Sequence, residues 1–187
     1  MVMSTALAPE SDVTSSWLAQ AAAFDDAINA WRREPFRSRN VRCGVAFDGV
    51  LCRRAVAELA HRILDAYEQP IGPAVVNTAL DLVLILVPAG TSSQWSDLMD
   101  ATQWPRGARR PICLGTGHRI LIPPLEPKAD SAACWLQPPT TLGMHPPDLT
   151  NPVPLARCLD QARTQFLTEE TRMRSSQHTL RHWTWEG

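Results

Sequence analysis

LDLVLILVP, residues 80–88, decides how this chain folds. Six aliphatic residues run unbroken from Leu82 to Val87, with Asp81 in front and Pro88 behind. The run is short for a helix, and Val83, Ile85 and Val87 are β-branched, which favours a strand. A strand with no polar alternation leaves no face for solvent, so this segment is expected to be central in a sheet.

The elements on either side follow from their own patterns. PAVVN (73–77) is a neighbouring strand, separated from the helical stretch before it by Pro70 and Gly72. That helix is predicted from Arg53 to Tyr67, with Val56, Leu59, Ala60, Ile63, Leu64 and Tyr67 on one apolar stripe. VAFDGVLC (45–52) precedes it as a strand. Downstream, Ser92 or Ser93 can cap a short helix through Trp95, Leu98 and Met99. A loop at Gln103–Gly107 leads to CLGTGHRILIPP (113–124), and CWLQPP (134–139) is a last short strand. The order over 45–122 is β-α-β-β-α-β. The expected fold class is therefore α+β: a single domain with a split βαββαβ mixed sheet, flanked by N- and C-terminal helices.

The flanking helices are read from spacing. Trp17, Ala21, Phe24, Ala27 or Ile28, and Trp31 predict a helix over 15–33, with Thr14 or Ser15 as cap and Pro35 as stop. Residues 138–154 are dense in proline and form a connector. Asn151-Pro152 starts a final helix to about Arg174, with Leu155, Leu159, Ala162, Phe166 and Leu167 as its core face. The domain is thus expected over 15–174, between a flexible N-terminus (1–14) and a flexible tail (175–187).

Composition narrows the function. With 187 residues, 44% apolar and 20% charged, the chain has the make-up of one globular domain. The net charge of -1 gives no global basic field to attract nucleic acid. Lys128 is the only lysine among 18 cationic residues, a bias that GC-rich coding explains. No stretch approaches the ~18 apolar residues of a membrane span. The first dozen residues lack the basic and apolar regions of a secretory signal, so a cytoplasmic location and no membrane partner are expected. The five cysteines are odd in number and form no CxxC, which points to buried thiols and not to a disulfide framework or zinc cage.

CLGTGHRILIPP carries the most chemistry by appearance. Its glycines precede a strand and not a helix, and the Gly-Lys-Ser/Thr ending of a P-loop is missing. Gly115 and Gly117 are therefore expected to bend the chain, leaving His118 on a solvent face. Asp48 stands alone in its strand, because the position that would complete a metal-holding pair is Val50. Asp81 is equally alone. Each is expected to be exposed or to serve as a cap. The strongest electrostatic feature is arginine: Arg32, Arg33, Arg37, Arg39 and Arg42 beside Phe36, then Arg53-Arg54, then Arg106, Arg109 and Arg110. The tail adds His178, Arg181, His182, Trp183 and Trp185, which could stack on bases. No Ser-His-Asp, Cys-His or HExxH arrangement is present.

VAFDGVLCRRAVAELAHRIL, GPAVVN, LVLILVPAGT, CLGTGHRILIPP and CWLQPP, in this order and spacing over about residues 17–139, resemble the primase/polymerase domains of the archaeo-eukaryotic primase superfamily, in particular short actinobacterial bifunctional DNA primase/polymerase domains. The resemblance implies a primase/polymerase-like, RNA-recognition-like core. It also implies which catalytic positions have changed. The family's histidine falls near Leu82. Its paired metal carboxylates fall on the Phe47–Val50 strand, where only Asp48 is acidic. A third acidic ligand is expected just before Cys113, where Arg109, Arg110 and Pro111 stand. Two-metal phosphoryl transfer needs carboxylates to clamp both cations.

Three functions follow as expectations. The first is a catalytically degenerate, regulatory module that binds DNA or nucleotide through Arg42, Arg53, Arg54, Arg110, Arg119 and His118, with no catalytic residue beyond the remnant Asp48 and no cofactor. The second is a protein-interaction module or homodimer that uses tryptophans such as Trp17, Trp95, Trp104 and Trp135. The third is a working nucleotidyltransferase that holds Mg²⁺ or Mn²⁺ on Asp48, Asp81 and His118.

Overall fold

A computed structural model describes residues 9–22, 29–30, 33–34, 36–124, 133–140 and 145–183, with side chains described from Thr14 to Met173. The elements are α1 (Pro9–Gln20), β1 (Arg39–Arg42), β2 (Asp48–Arg53), α2 (Arg54–Ala66), β3 (Ala74–Asn77), β4 (Leu82–Val87), α3 (Thr91–Asp100), β5 (Ile112–Leu114), β6 (Arg119–Ile122), β7 (Ala133–Gln137) and α4 (Pro152–Trp183). The chain is α+β.

β4 is the middle strand of a five-stranded sheet ordered β5-β2-β4-β3-β7. Its uninterrupted apolar sequence is explained by cover on both faces. Val83, Ile85 and Val87 pack into a core built with Val56, Ala60 and Leu64 of α2, Trp95 and Met99 of α3, and Leu155, Leu159 and Ala162 of α4. Leu84 and Leu86 point the other way, into a second core with Trp17, Leu18 and Ala21 at α1, Phe47, and Val41, Ile120 and Ile122 from a separate ribbon. That ribbon is the antiparallel pair β1–β6. A strand whose alternate residues serve two cores has no polar side to conserve.

β4 pairs with both β2 and β3, so it lies between the two strands that α2 connects. β5 adds to the outer edge of β2 and β7 to the outer edge of β3. Every pairing is antiparallel, where a mixed sheet was expected. Each parallel-running pair has an antiparallel strand inserted between its members, so no parallel ladder forms.

Several boundaries differ from the pattern-based expectation. The first helix runs from Pro9 to Gln20 where one from 15 to 33 was expected, and of the described residues at the far end of that span 29, 30 and 33 are helical. Ala22 instead forms a bridge with Val41, and the Arg42 amide donates to Ala21 O at 2.6 Å. Tertiary pairing overrides the helical spacing there. Thr14 and Ser15 are buried within α1 and do not cap it. Phe24, Ala27, Ile28, Trp31, Arg32 and Pro35 lie outside the described residues. Residues 43–46 form a turn, so β2 starts at Asp48. Tyr67 is the exposed C-cap of α2 and not part of its buried stripe. α4 begins as expected: Pro152 is its first residue, and Asn151 Oδ1 accepts the Val153 amide at 3.0 Å. It continues past Arg174 to Trp183, so 175–183 belong to a helix, and Leu167 on it is exposed.

Candidate nucleic-acid interface

The β1–β6 ribbon alternates strictly. Val41, Ile120 and Ile122 face inward and are buried, while Asn40, Arg42, Arg119 and Leu121 are exposed. The register sets Arg42 directly opposite Arg119 and Asn40 opposite Leu121. Directly opposed residues carry Cβ atoms about 4.5–5.5 Å apart, and like charges so placed repel. Neither guanidinium has an ion pair or side-chain hydrogen bond among the described residues. By contrast Arg39, one residue out of phase, is tied to Glu34 Oε2 at 3.0 Å and to Ala30 O at 2.7 Å. Bonds from Arg39 and Arg37 hold the Glu34 carboxyl below its usual range.

The pair is set in place by the turn between β5 and β6. Here the chain leaves the large sheet and enters the ribbon. Gly117 adopts φ +91°, the left-handed region that suits glycine. The His118 amide donates to Gly115 O at 3.1 Å, and the His118 ring places Nδ1 3.2 Å from the same oxygen. The Cys43 amide donates to His118 O at 3.0 Å, so the residue after Arg42 is bonded to the residue before Arg119. Gly44, at φ +86°, closes the partner turn, and a Cβ there would lie 2.8 Å from Thr116 Cα. The expected bend is therefore present, and His118 is exposed. Its role is to join two sheets, with no hairpin between β5 and β6.

Asp48 underlies this turn. It is fully buried, and Oδ2 accepts the Ser92 amide at 2.8 Å. The Asp48 carboxylate thus supplies what the start of α3 lacks, since its N-cap is Gly90 and no side chain of the first turn caps it. Ser92 in turn lies against Gly115, where a Cβ would sit 2.5 Å from Ser92 Cβ and overlap Ser92 Oγ. Trp95 Nε1 donates to Pro111 O at 3.0 Å and fixes the approach to β5.

The other expected contributors are elsewhere. Arg53 is at the opposite end of β2, paired in register with Leu82. Arg54 beside it is bonded to Glu58 at 2.7 Å, which raises its pKa. Arg110 is bonded to Asp100. Thus Arg42 and Arg119 are brought together, His118 precedes Arg119 in the turn with its ring against Gly115 O, and Arg53, Arg54 and Arg110 do not join the pair. Side chains of the tail lie outside the described residues.

The Asp48–Asp81–His118 metal set is not assembled. Asp48 is opposite Val87 and Arg53 is opposite Leu82, so Asp81 lies beyond the far end of β4. At ~3.3 Å per residue that separation is on the order of 20 Å. Val50, at the second carboxylate position, is in the core. Among the described residues no three His, Cys, Asp or Glu side chains are grouped to hold a metal. A two-metal centre does not fit Asp48: one carboxylate is present, one of its oxygens is committed, and the adjacent helix terminus carries positive partial charge. Nor is Asp48 exposed in its strand, as one expectation had it; the cap role is the one realised.

Of the tryptophans named for an interaction surface, Trp17, Trp95 and Trp104 are buried and Trp135 is half-buried with Nε1 bonded to Pro124 O, while the side chains of Trp31, Trp183 and Trp185 lie outside the described residues. Among the described residues no helix is long and apolar enough to cross a membrane. No family model, no curated protein and no solved structure matches this chain.

Proposed function

We propose that this chain is a catalytically degenerate domain of the primase/polymerase type that binds single-stranded nucleic acid on the exposed face of the β1–β6 ribbon. One observation carries the reading: two exposed arginines occupy directly opposed positions in the ribbon register, with no carboxylate partner among the described residues. A fork of this kind matches phosphate oxygens in charge and geometry, and a bound phosphate relieves the repulsion. The strand order β5-β2-β4-β3, with helices after β2 and β4, supports the split βαββαβ core that the resemblance implies. With a net charge of -1 the attraction is local, so binding depends on these two side chains and not on a general field.

Fluorescence anisotropy with labelled single- and double-stranded DNA tests the proposal at ~50 and ~200 mM salt. Binding that weakens steeply with salt is expected, unchanged by Mn²⁺. Flat traces at low salt remove the nucleic-acid reading, and capture of mononucleotide alone replaces it with a nucleotide site.

A further inference from the structure

We infer that Asp48, the position where the resemblance places a metal ligand, is instead a positioning residue that holds Arg119 opposite Arg42 without any metal. The inference rests on the proposed function only for its effect on binding. Its structural half stands on four contacts in sequence. Asp48 Oδ2 holds the Ser92 amide. Ser92 is seated on Gly115, which has no side chain to keep it away. Gly115 O receives the His118 amide, and His118 O receives the Cys43 amide. Cys43 and His118 immediately flank the opposed arginines. The carboxylate thus ties the sheet, the start of α3 and the turn into the ribbon at one point. Asp48 Oδ1 is buried without a partner among the described residues, so the contact to Ser92 uses one of the two carboxylate oxygens. An amide provides the same single acceptor to Ser92, and asparagine caps helices about as well as aspartate.

That difference makes the test. The full-length wild type, Asp48→Asn and Asp48→Ala are compared by hydrogen exchange at the Cys43 and His118 amides, by thermal unfolding, and by oligonucleotide anisotropy in EDTA and then Mg²⁺. Asp48→Asn is expected to keep both amides protected and to bind within about twofold of wild type, with no response to Mg²⁺. Asp48→Ala is expected to lower the melting temperature by about 2–8 °C, to lose roughly tenfold or more protection at those two amides while α4 amides keep theirs, and to bind more weakly. Wild-type binding that requires Mg²⁺ and is lost in Asp48→Asn overturns the inference in favour of a metal ligand. Asp48→Ala with unchanged protection at Cys43 and His118 overturns it as well. If the wild type binds no oligonucleotide, the proposed function fails and the exchange data alone decide the role of Asp48. If Asp48→Ala does not fold, wild type and Asp48→Asn decide it: protection at the two amides that is equal in EDTA and in Mg²⁺ for both proteins is the expected result, and wild-type protection that rises with Mg²⁺ and no longer does so in Asp48→Asn refutes a metal-free positioning role.

Discussion

Gly115 shows how one absent side chain fixes the geometry of the site. Its missing Cβ leaves room for Ser92, and that room is what lets the helix start, Asp48 and the turn meet. Gly115→Ala is expected to destabilise the protein by about 1–3 kcal/mol through overpacking. Ser92→Gly in the same chain should recover part of that loss, because it removes the overlapping atoms. Urea unfolding of the two single variants and the double variant measures the coupling, and strictly additive losses would show that the two residues do not oppose each other. From sequence alone the glycines promised a bend and His118 an exposed ring, and both are there. The sequence pointed to Ser92 or Ser93 as a side-chain cap of this helix, whereas the N-cap is Gly90 and Ser92 contributes its backbone amide, given to a strand 44 residues away.

At the level of elements, the ribbon carries a built-in conflict between stability and binding. Arg42 and Arg119 repel across the strands, so Arg119→Glu should turn repulsion into attraction and stabilise the fold by about 0.2–1 kcal/mol. That is a rise of roughly 1–3 °C in melting temperature for a domain of this size, accompanied by loss of DNA binding. A variant that is both less stable and still able to bind would contradict the opposed-pair geometry. β4 was legible because six aliphatic residues between Asp81 and Pro88 admit one outcome, a central strand. β1 was not, because Arg-Asn-Val-Arg has a single apolar residue and becomes a strand only through its partner β6. The same pairing explains the early end of α1, where Ala22 leaves helical spacing to bridge Val41.

For the whole molecule, the two cores meet at β4, and their buried ionisable groups limit the pH range of stability. Ile85 is fully buried at the centre, and Ile85→Ala is expected to cost about 2–5 kcal/mol. Burial pushes the Cys43 thiol up to about 11 and Cys52 and Cys113 up to about 12, with the Asp48 carboxylate adding to the rise at Cys43 and Cys113. In the unfolded chain these thiols ionise near 9.0. Above that pH the unfolded state releases protons that the folded state keeps, so stability present below pH 9 should fall progressively towards pH 12. His61 acts on the acid side: burial lowers its pKa from 6.5, so the unfolded state takes up protons first and stability falls as pH drops through and below that value. Denaturant titrations at about pH 5, 7.5 and 10.5 should show a maximum at the middle value, and a thiol reagent should label Cys52 only on unfolding. The overall α+β order could be read from the chain because hydrophobic runs and proline stops are local signals. The pairing of Arg42 with Arg119 depends on strand register, and the tie of Arg110 to Asp100 on a chain turn, neither of which a local pattern encodes; only the i,i+4 tie of Arg54 to Glu58 was open to a local reading.

The salt dependence of single-stranded DNA binding, measured for the wild type and for Arg42→Ala/Arg119→Ala together, is the most direct test of the arginine pair. Each cation removed from a phosphate contact should reduce the slope of log K against log salt by about 0.7, so the double variant should lose about 1.4 from the slope and most of its affinity. A double variant that binds with the wild-type slope would place the nucleic acid, if it binds at all, on some other surface.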